Sequence, residues 1–163
     1  MKKRFFFIAI ITLFCSCSSS YYYVVRHAER LNNSNNTPLS GAGFKRADDL
    51  REKLLSKKID LIYVSTYLRT QQTAQSTATA KVLPFIIYAP DTTAGLVARL
   101  KKIKGKNVLV IGHSNTVPDI VQGLSGKAVP AIPEDDFDNF YIVRISNFGT
   151  TRVWLQTYGK PSP

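Results

Sequence analysis

The chain has 163 residues, 44% apolar and 20% charged, and a formal net charge of +11. That length suits one domain that buries a core without disulfides or metals, and the composition excludes disordered and low-complexity classes. The positive balance suits anionic substrates, a membrane surface or nucleic acid. No dense Arg/Lys run with interleaved aromatics supports a nucleic-acid partner, and most of the charge reads as a solvated surface on residues such as Lys57, Lys58, Lys101, Lys102, Lys104 and Lys106.

Residues 1–17 have the three parts of an export signal. Lys2, Lys3 and Arg4 form a positive start, an apolar run occupies residues 5–14, and small residues follow at Ser16 and from Ser18 to Ser20. The run is short for a membrane span. Leu13-Phe14-Cys15-Ser16 before Cys17 resembles a bacterial lipoprotein processing site, with Phe14 departing from the small aliphatic residue that pattern prefers. Ser16 precedes Cys17 and bulky Phe14 precedes Cys15, so Cys17 is the lipidation candidate. The expectation is an exported chain held in the cell envelope through lipid on Cys17. A plain signal peptide, cut nearby without lipidation, is the alternative. Cys15 and Cys17 are the only cysteines, which excludes a disulfide framework or a cysteine metal site.

Tyr21-Tyr22-Tyr23-Val24-Val25 reads as a buried strand that stops at Arg26, His27, Glu29 and Arg30. A polar loop over residues 31–38 leads to a helix with Ser40 as N-cap and Phe44, Ala47, Leu50, Leu54 and Leu55 on its apolar face. Residues 59–64 form a second strand ending at Ser65, and residues 67–80 a helix carrying Arg69. A short strand over 85–88 precedes a turn at Pro90-Asp91-Thr92-Thr93 and a helix over 94–103. The continuous apolar run of residues 107–112 predicts a strand buried on both faces, ending at His113. A helix over 114–124 follows, then a loop rich in proline and acid over 129–138. Alternating residues 140–145 and 152–157 around Asn147-Phe148-Gly149 predict a terminal hairpin. Strands alternating with helices predict a three-layer α/β/α sandwich with a mostly parallel sheet over residues 21–158.

Three strand ends then carry matching chemistry: Arg26-His27, Ser65 through Arg69, and Gly112-His113-Ser114. In a parallel sheet these ends share one edge. Two arginines and two histidines converging there suit a phosphoryl group. Guanidinium forks match phosphate oxygens, and a neutral imidazole can attack phosphorus while a second donates a hydrogen bond. A cation is unsuited to the same place, because the arginines repel it. Asp135, Asp136 and Asp138 read as a solvated loop rather than a metal cage, and Glu29 as half of a structural salt bridge.

Arg26-His27-Ala28-Glu29 resembles the first signature of the histidine phosphatase (phosphoglycerate mutase-like) superfamily. The stretch from Val64 to Ala74, with Ser65, Arg69, Gln72, Thr73 and Ala74, is similar to its second block. Val110-Ile111-Gly112-His113 is similar to its third, and Pro38-Leu39-Ser40-Gly41-Ala42-Gly43 to the start of its first helix. The blocks occur in family order, and the match is to the small phosphatase branch. The resemblance implies that His27 is a nucleophile that becomes phosphorylated, and that Arg26, Arg69 and His113 hold the phosphoryl group. It implies no cofactor and no metal. Asn33 lies where some relatives place an asparagine against the phosphate. Asp91 is the candidate proton donor by position, with a helix N-cap as its other reading; Glu29 and Asp119 come next. The implied partner is a small phosphorylated substrate or a phosphoprotein. A member of the same fold that holds phosphate but turns over poorly is the rival reading, and a mutase is disfavoured by the absence of an obvious insertion.

Overall fold

The structure is a computed structural model that describes residues 19–162. The expected export segment and Cys17 lie outside those residues. Ten elements follow in chain order: β1 (Ser20–Arg26), α1 (Gly41–Leu54), β2 (Leu61–Ser65), α2 (Leu68–Lys81), β3 (Phe85–Tyr88), α3 (Thr93–Lys102), β4 (Asn107–Gly112), α4 (Thr116–Ser125), β5 (Asn139–Ile145) and β6 (Thr151–Thr157). They build one six-stranded sheet in the order β3-β2-β4-β1-β5-β6. The first four strands run parallel, and β5 and β6 add an antiparallel pair beside β1. The expected α/β sandwich is therefore the observed fold.

The central strands serve two cores at once, because successive side chains point to opposite faces. Tyr22, Val24, Val108 and Val110 face α3 and α4, packing with Leu96, Leu100, Ile120 and Val121. Tyr23, Val25, Leu109 and Ile111 face α1 and α2, packing with Leu50, Leu54, Ala74 and Ala78. This double burial is why β1 and β4 are apolar without alternation. Each such aliphatic side chain contributes roughly 1.5–3 kcal/mol of transfer free energy.

Two local departures from the sequence reading have clear causes. In α1 the inward stripe is Gly43, Ala47, Leu50 and Leu54, so Phe44 and Leu55 fall off it and are exposed. Arg46 takes a buried place instead, neutralised by Glu29 at 2.8 Å and donating to the Tyr158 carbonyl at 3.1 Å. The α4 helix begins two residues later than expected, with Asn115 as N-cap, because the Thr116 and Val117 N–H groups turn back onto the His113 carbonyl. Ser40 caps α1 as expected, accepting from the Gly43 N–H at 3.1 Å. Any side chain at Gly43 would collide with the Glu29 carbonyl, so that helix start can lie against the exit of β1 only with glycine there.

Candidate active site

Register brings the chemistry together. Arg26 pairs with Gly112 across β1 and β4, and Val64 pairs with Ile111 across β2 and β4. The next residues of β1 and β4, His27 and His113, therefore lie side by side at the carboxyl edge of the sheet, and Ser65, level with Gly112, reaches His113 through its side chain. The His27 N–H donates to the Gly112 carbonyl at 2.9 Å and fixes this alignment one residue past the strand. The imidazole rings of His27 and His113 stand 5.3 Å apart, centre to centre, at 64°.

Beside them opens a cleft of about 530 Å³ lined by Arg26, His27, Arg30, Tyr67, Arg69, Asp91, His113, Ser114 and Glu134, among others. Of the residues predicted from sequence, Arg26, His27, Arg69, His113 and Asp91 meet here. Asn33 does not: it is exposed in the loop after β1 and is not among the lining residues. Its neighbours make the contacts. The Asn35 carbonyl accepts from Arg69 Nη1 at 2.8 Å, and Asn36 Oδ1 accepts from the Leu68 N–H at 2.8 Å, capping α2. Thr92, not Asp91, is the N-cap of α3, so the capping reading of Asp91 is corrected. Glu29 is tied to Arg46 and Asp119 lines a separate hollow between α3 and α4; neither reaches the cleft.

Each ring has a defined hydrogen-bond state. His27 Nδ1 lies 2.8 Å from the Ala28 carbonyl, which only accepts, so Nδ1 carries the proton and Nε2 keeps its lone pair. Burial pushes the His27 pKa down to about 3, against the pull of that carbonyl, and the charges of His113, Arg26 and Arg69 push the same way. Burial, then Arg69 and Arg26, lower His113 to about 4. Both rings are thus neutral near pH 7. His113 Nδ1 lies 3.4 Å from Arg69 Nη2, which only donates, so its Nε2 holds the proton and donates to Ser65 Oγ at 2.9 Å. Ser65 in turn donates to Thr70 Oγ1 at 3.0 Å, and Thr70 donates to the Ser65 and Tyr67 carbonyls.

The arginines are held from behind. Arg26 is 1% exposed, and its Nη1 donates to the Pro133 and Asp136 carbonyls at 2.7 and 2.9 Å. Its guanidinium stacks 4.2 Å from the Phe137 ring centre, and that of Arg69 lies 4.3 Å from the Tyr67 ring. Burial lowers the pKa of both guanidiniums, yet an arginine stays charged. Among the described residues, Nε of Arg26 and of Arg69 are buried donors without an acceptor in the protein.

The residue that sequence reasoning missed is Glu134. Its Oε2 lies 3.2 Å from Arg26 Nη2 and 3.8 Å from Arg30 Nη2, and its Oε1 accepts from Ser114 Oγ at 2.7 Å. The Ser114 hydrogen bond, then Arg26 and Arg30, hold this carboxyl below its usual range despite some burial. It sits in a loop with no periodic pattern, between prolines and other acids, and only the tertiary path of residues 129–138 brings it over the cleft. Thr73 and Gln72 also do more than pack. Thr73 Oγ1 accepts from the Ala28 N–H at 2.9 Å and donates to the Arg69 carbonyl, and Gln72 Oε1 accepts from the Leu39 N–H at 2.8 Å. They lock the exit of β1 to α2.

The model of the Histidine phosphatase superfamily (branch 1) matches residues 22–89. No curated protein sequence matches the chain. Solved structures do. The protein histidine phosphatase SixA, complexed with tungstate, aligns with a TM-score of 0.66 at 21% identity, covering 84% of this chain and 96% of that one. A putative alpha-ribazole-5'-P phosphatase from Escherichia coli aligns with a TM-score of 0.69 at 16% identity over 85% and 96% of the two chains. A mycobacterial glucosyl-3-phosphoglycerate phosphatase aligns with a TM-score of 0.67 at 13% identity over 86% and 98%. At these identities the likeness is one of fold.

Proposed function

We propose that this chain, which carries the fold and the signature residues of the histidine phosphatase superfamily, is a phosphatase that passes a phosphoryl group through His27 to water. One observation carries the reading. A neutral imidazole, its Nδ1 proton held by the Ala28 carbonyl at 2.8 Å, offers Nε2 in a cleft shared with Arg26, Arg69 and His113. That is an activated nucleophile beside fixed positive charge.

The steps follow from these groups. Arg69 and Arg26 draw in the phosphoryl oxygens, and once an anion takes Arg69 from His113 Nδ1, that ring gains a proton from solvent at Nδ1 and gives one up to solvent at Nε2, so that an Nδ1–H faces the anion. Ser65 permits that change, since its hydroxyl can donate to His113 Nε2 instead of accepting from it. His27 Nε2 forms a bond to phosphorus as the bond to the leaving oxygen breaks, and the Ala28 carbonyl stabilises the positive ring. The leaving oxygen takes a proton from Asp91, which lines the cleft from the turn after β3. Water then attacks phosphorus, returns a proton to Asp91, and releases phosphate and neutral His27. Glu134 is the poorer donor because Ser114, Arg26 and Arg30 favour its ionised form.

The substrate class is a phosphomonoester or a phosphohistidine on a protein; the second rests on the likeness in fold to the protein histidine phosphatase SixA. The rival reading, a phosphate-holding protein with weak turnover, has one supporting observation: Glu134 already pairs with Arg26, and with Arg30 beside it. Turnover of p-nitrophenyl phosphate separates the two. The covalent step is tested by quenching turnover in alkali. A label that is stable to alkali, lost in acid and mapped to His27 is expected, and none in His27→Ala. A label that survives acid, or sits on serine, would overturn the mechanism. Export and attachment through Cys17 belong to the same proposal, and mass spectrometry of the membrane fraction tests them: a soluble mature chain starting beyond Cys17 defeats the anchor.

A further inference from the structure

We infer that the edge of the sheet opposite the cleft is a docking face for an anionic phospholipid surface, with the cleft turned away from that surface. The face is defined by register. Ser20, Asn107 and Leu61 open the parallel strands there, and Ile145 and Thr151, flanking the hairpin turn, lie beside Ser20. The C-terminal ends of the helices come to the same edge. Tyr22 OH donates to the Leu100 and Ile103 carbonyls behind α3, at 2.7 and 3.1 Å, and Thr151 Oγ1 donates to the Ser125 carbonyl of α4 at 2.9 Å. Lys81, ending α2, donates to the Leu55 and Lys57 carbonyls behind α1.

This edge is basic. Lys58, Lys102, Lys104, Lys106, Lys127 and Arg152 are exposed on it. Its acids are fewer and offset only part of this charge: Asp60 pairs with Lys58 at 3.1 Å and lies 4.0 Å from Lys106, and Glu52 pairs with Arg51 at 2.7 Å. The cleft edge is mixed instead: Asp91, Glu134, Asp135, Asp136 and Asp138 offset Arg26, Arg30 and Arg69 there. Two apolar side chains also stand among the cations: Phe148, 87% exposed at the hairpin tip, and Val82, 89% exposed at the end of α2. Cations interleaved with protruding apolar side chains suit the headgroup region of a bilayer, where the first bind lipid phosphates and the second enter the acyl boundary. Ser19, which accepts from Arg144 Nε at 3.0 Å, also lies here, so the chain of residues 1–18 joins the fold on this face.

The docking goes beyond the proposed phosphatase activity and does not require lipid on Cys17. Its consequence for function is orientation. The seven residues of β1 separate the two edges by about 20 Å. That exceeds the screening length of about 8 Å at physiological salt, so membrane charge neither repels phosphate from the cleft nor feeds lipid headgroups into it. Substrates are then taken from the aqueous phase.

The experiment places a single indole in the full chain by combining Trp154→Phe with Phe148→Trp, or with Leu31→Trp at the cleft end. Quenching is read on vesicles of brominated phosphatidylcholine with and without phosphatidylglycerol. The indole at position 148 should be quenched when phosphatidylglycerol is present and the one at position 31 should not. Reversing Lys104, Lys106 and Arg152 to glutamate should lower the face-specific binding on the order of a hundredfold or more, at about fivefold per cation, while p-nitrophenyl phosphate turnover stays unchanged. Raising the salt on the unreversed chain should act likewise, which keeps the test alive if the reversed chain folds poorly. Equal quenching at both positions, quenching indifferent to lipid charge, or association with an acidic protein or nucleic acid but not with vesicles would overturn it. Sedimentation with pure phosphatidylcholine reports the N-terminal segment separately, and turnover reports the phosphatase reading.

Discussion

Lowering the pH from 7 to 5 should cost the folded chain about 4 kcal/mol, from the two site histidines alone. These are the only histidines in the sequence. The fold depresses them from 6.5 to about 3 and about 4, so both stay neutral in the native state at pH 5. In the unfolded chain each takes up a proton near 6.5. The unfolded state then binds more protons than the native one, and stability falls as the pH falls through this window. Each histidine loses roughly 1.4 kcal/mol per pH unit once well below 6.5, or about 2 kcal/mol between pH 7 and pH 5. Carboxylates add little above pH 5, so the window isolates the histidines. Urea denaturation at pH 7 and pH 5 measures the difference, and His113→Asn should remove about half of it. Equal stabilities at the two pH values, or a loss unaffected by His113→Asn, would refute the buried neutral pair and with it the ready nucleophile.

Glu134→Gln should tighten inorganic phosphate on the order of tenfold, because it removes a charge that repels the phosphate dianion by roughly 1–2 kcal/mol near the surface; inhibition constants measure it, and weaker binding would mean that the carboxylate organises the arginines instead. Asp91→Asn should slow alkyl phosphates on the order of a hundredfold while sparing p-nitrophenyl phosphate, whose leaving group needs little protonation. Equal losses on the two substrates would remove Asp91 as the acid. Rates in excess chelator should be unchanged, since Arg26 and Arg69 flank both histidines; a loss restored by one divalent ion would contradict a metal-free reaction.

Much of this molecule was legible because its signals are local. Double-sided burial writes continuous apolar runs into β1 and β4, and strand ends in a parallel sheet share an edge, so Arg26, His27, Arg69 and His113 could be brought together before any contact was known. The hairpin was equally plain from alternation around Asn147-Phe148-Gly149. Periodicity misjudged Phe44, because a helix stripe drifts and a paired Arg46 could take a buried position that apolar counting assigns to a hydrophobe.

What stayed illegible depends on chain paths that no period encodes. Asn33 is a candidate only through the resemblance, and the loop turns so that Asn35 and Asn36 meet α2 instead. Glu134 was one acid among several in a stretch that looked solvated. It is indeed 71% exposed, and only the return of that loop over the end of β1, fixed by Arg26 donating to the Pro133 and Asp136 carbonyls, makes it part of the site. On the proposed mechanism, the same hydrogen bonds separate the roles of the two carboxylates at the cleft. Glu134 rides on the segment that clamps Arg26, so its charge is neutralised by the arginines it touches and its proton is lost readily. Asp91 comes from the far side of the sheet, after β3, on a turn that lines the cleft without being the cap of α3. A carboxyl that must hold a proton for a leaving group belongs away from the guanidiniums, and of the two only Asp91 stands outside that arginine clamp.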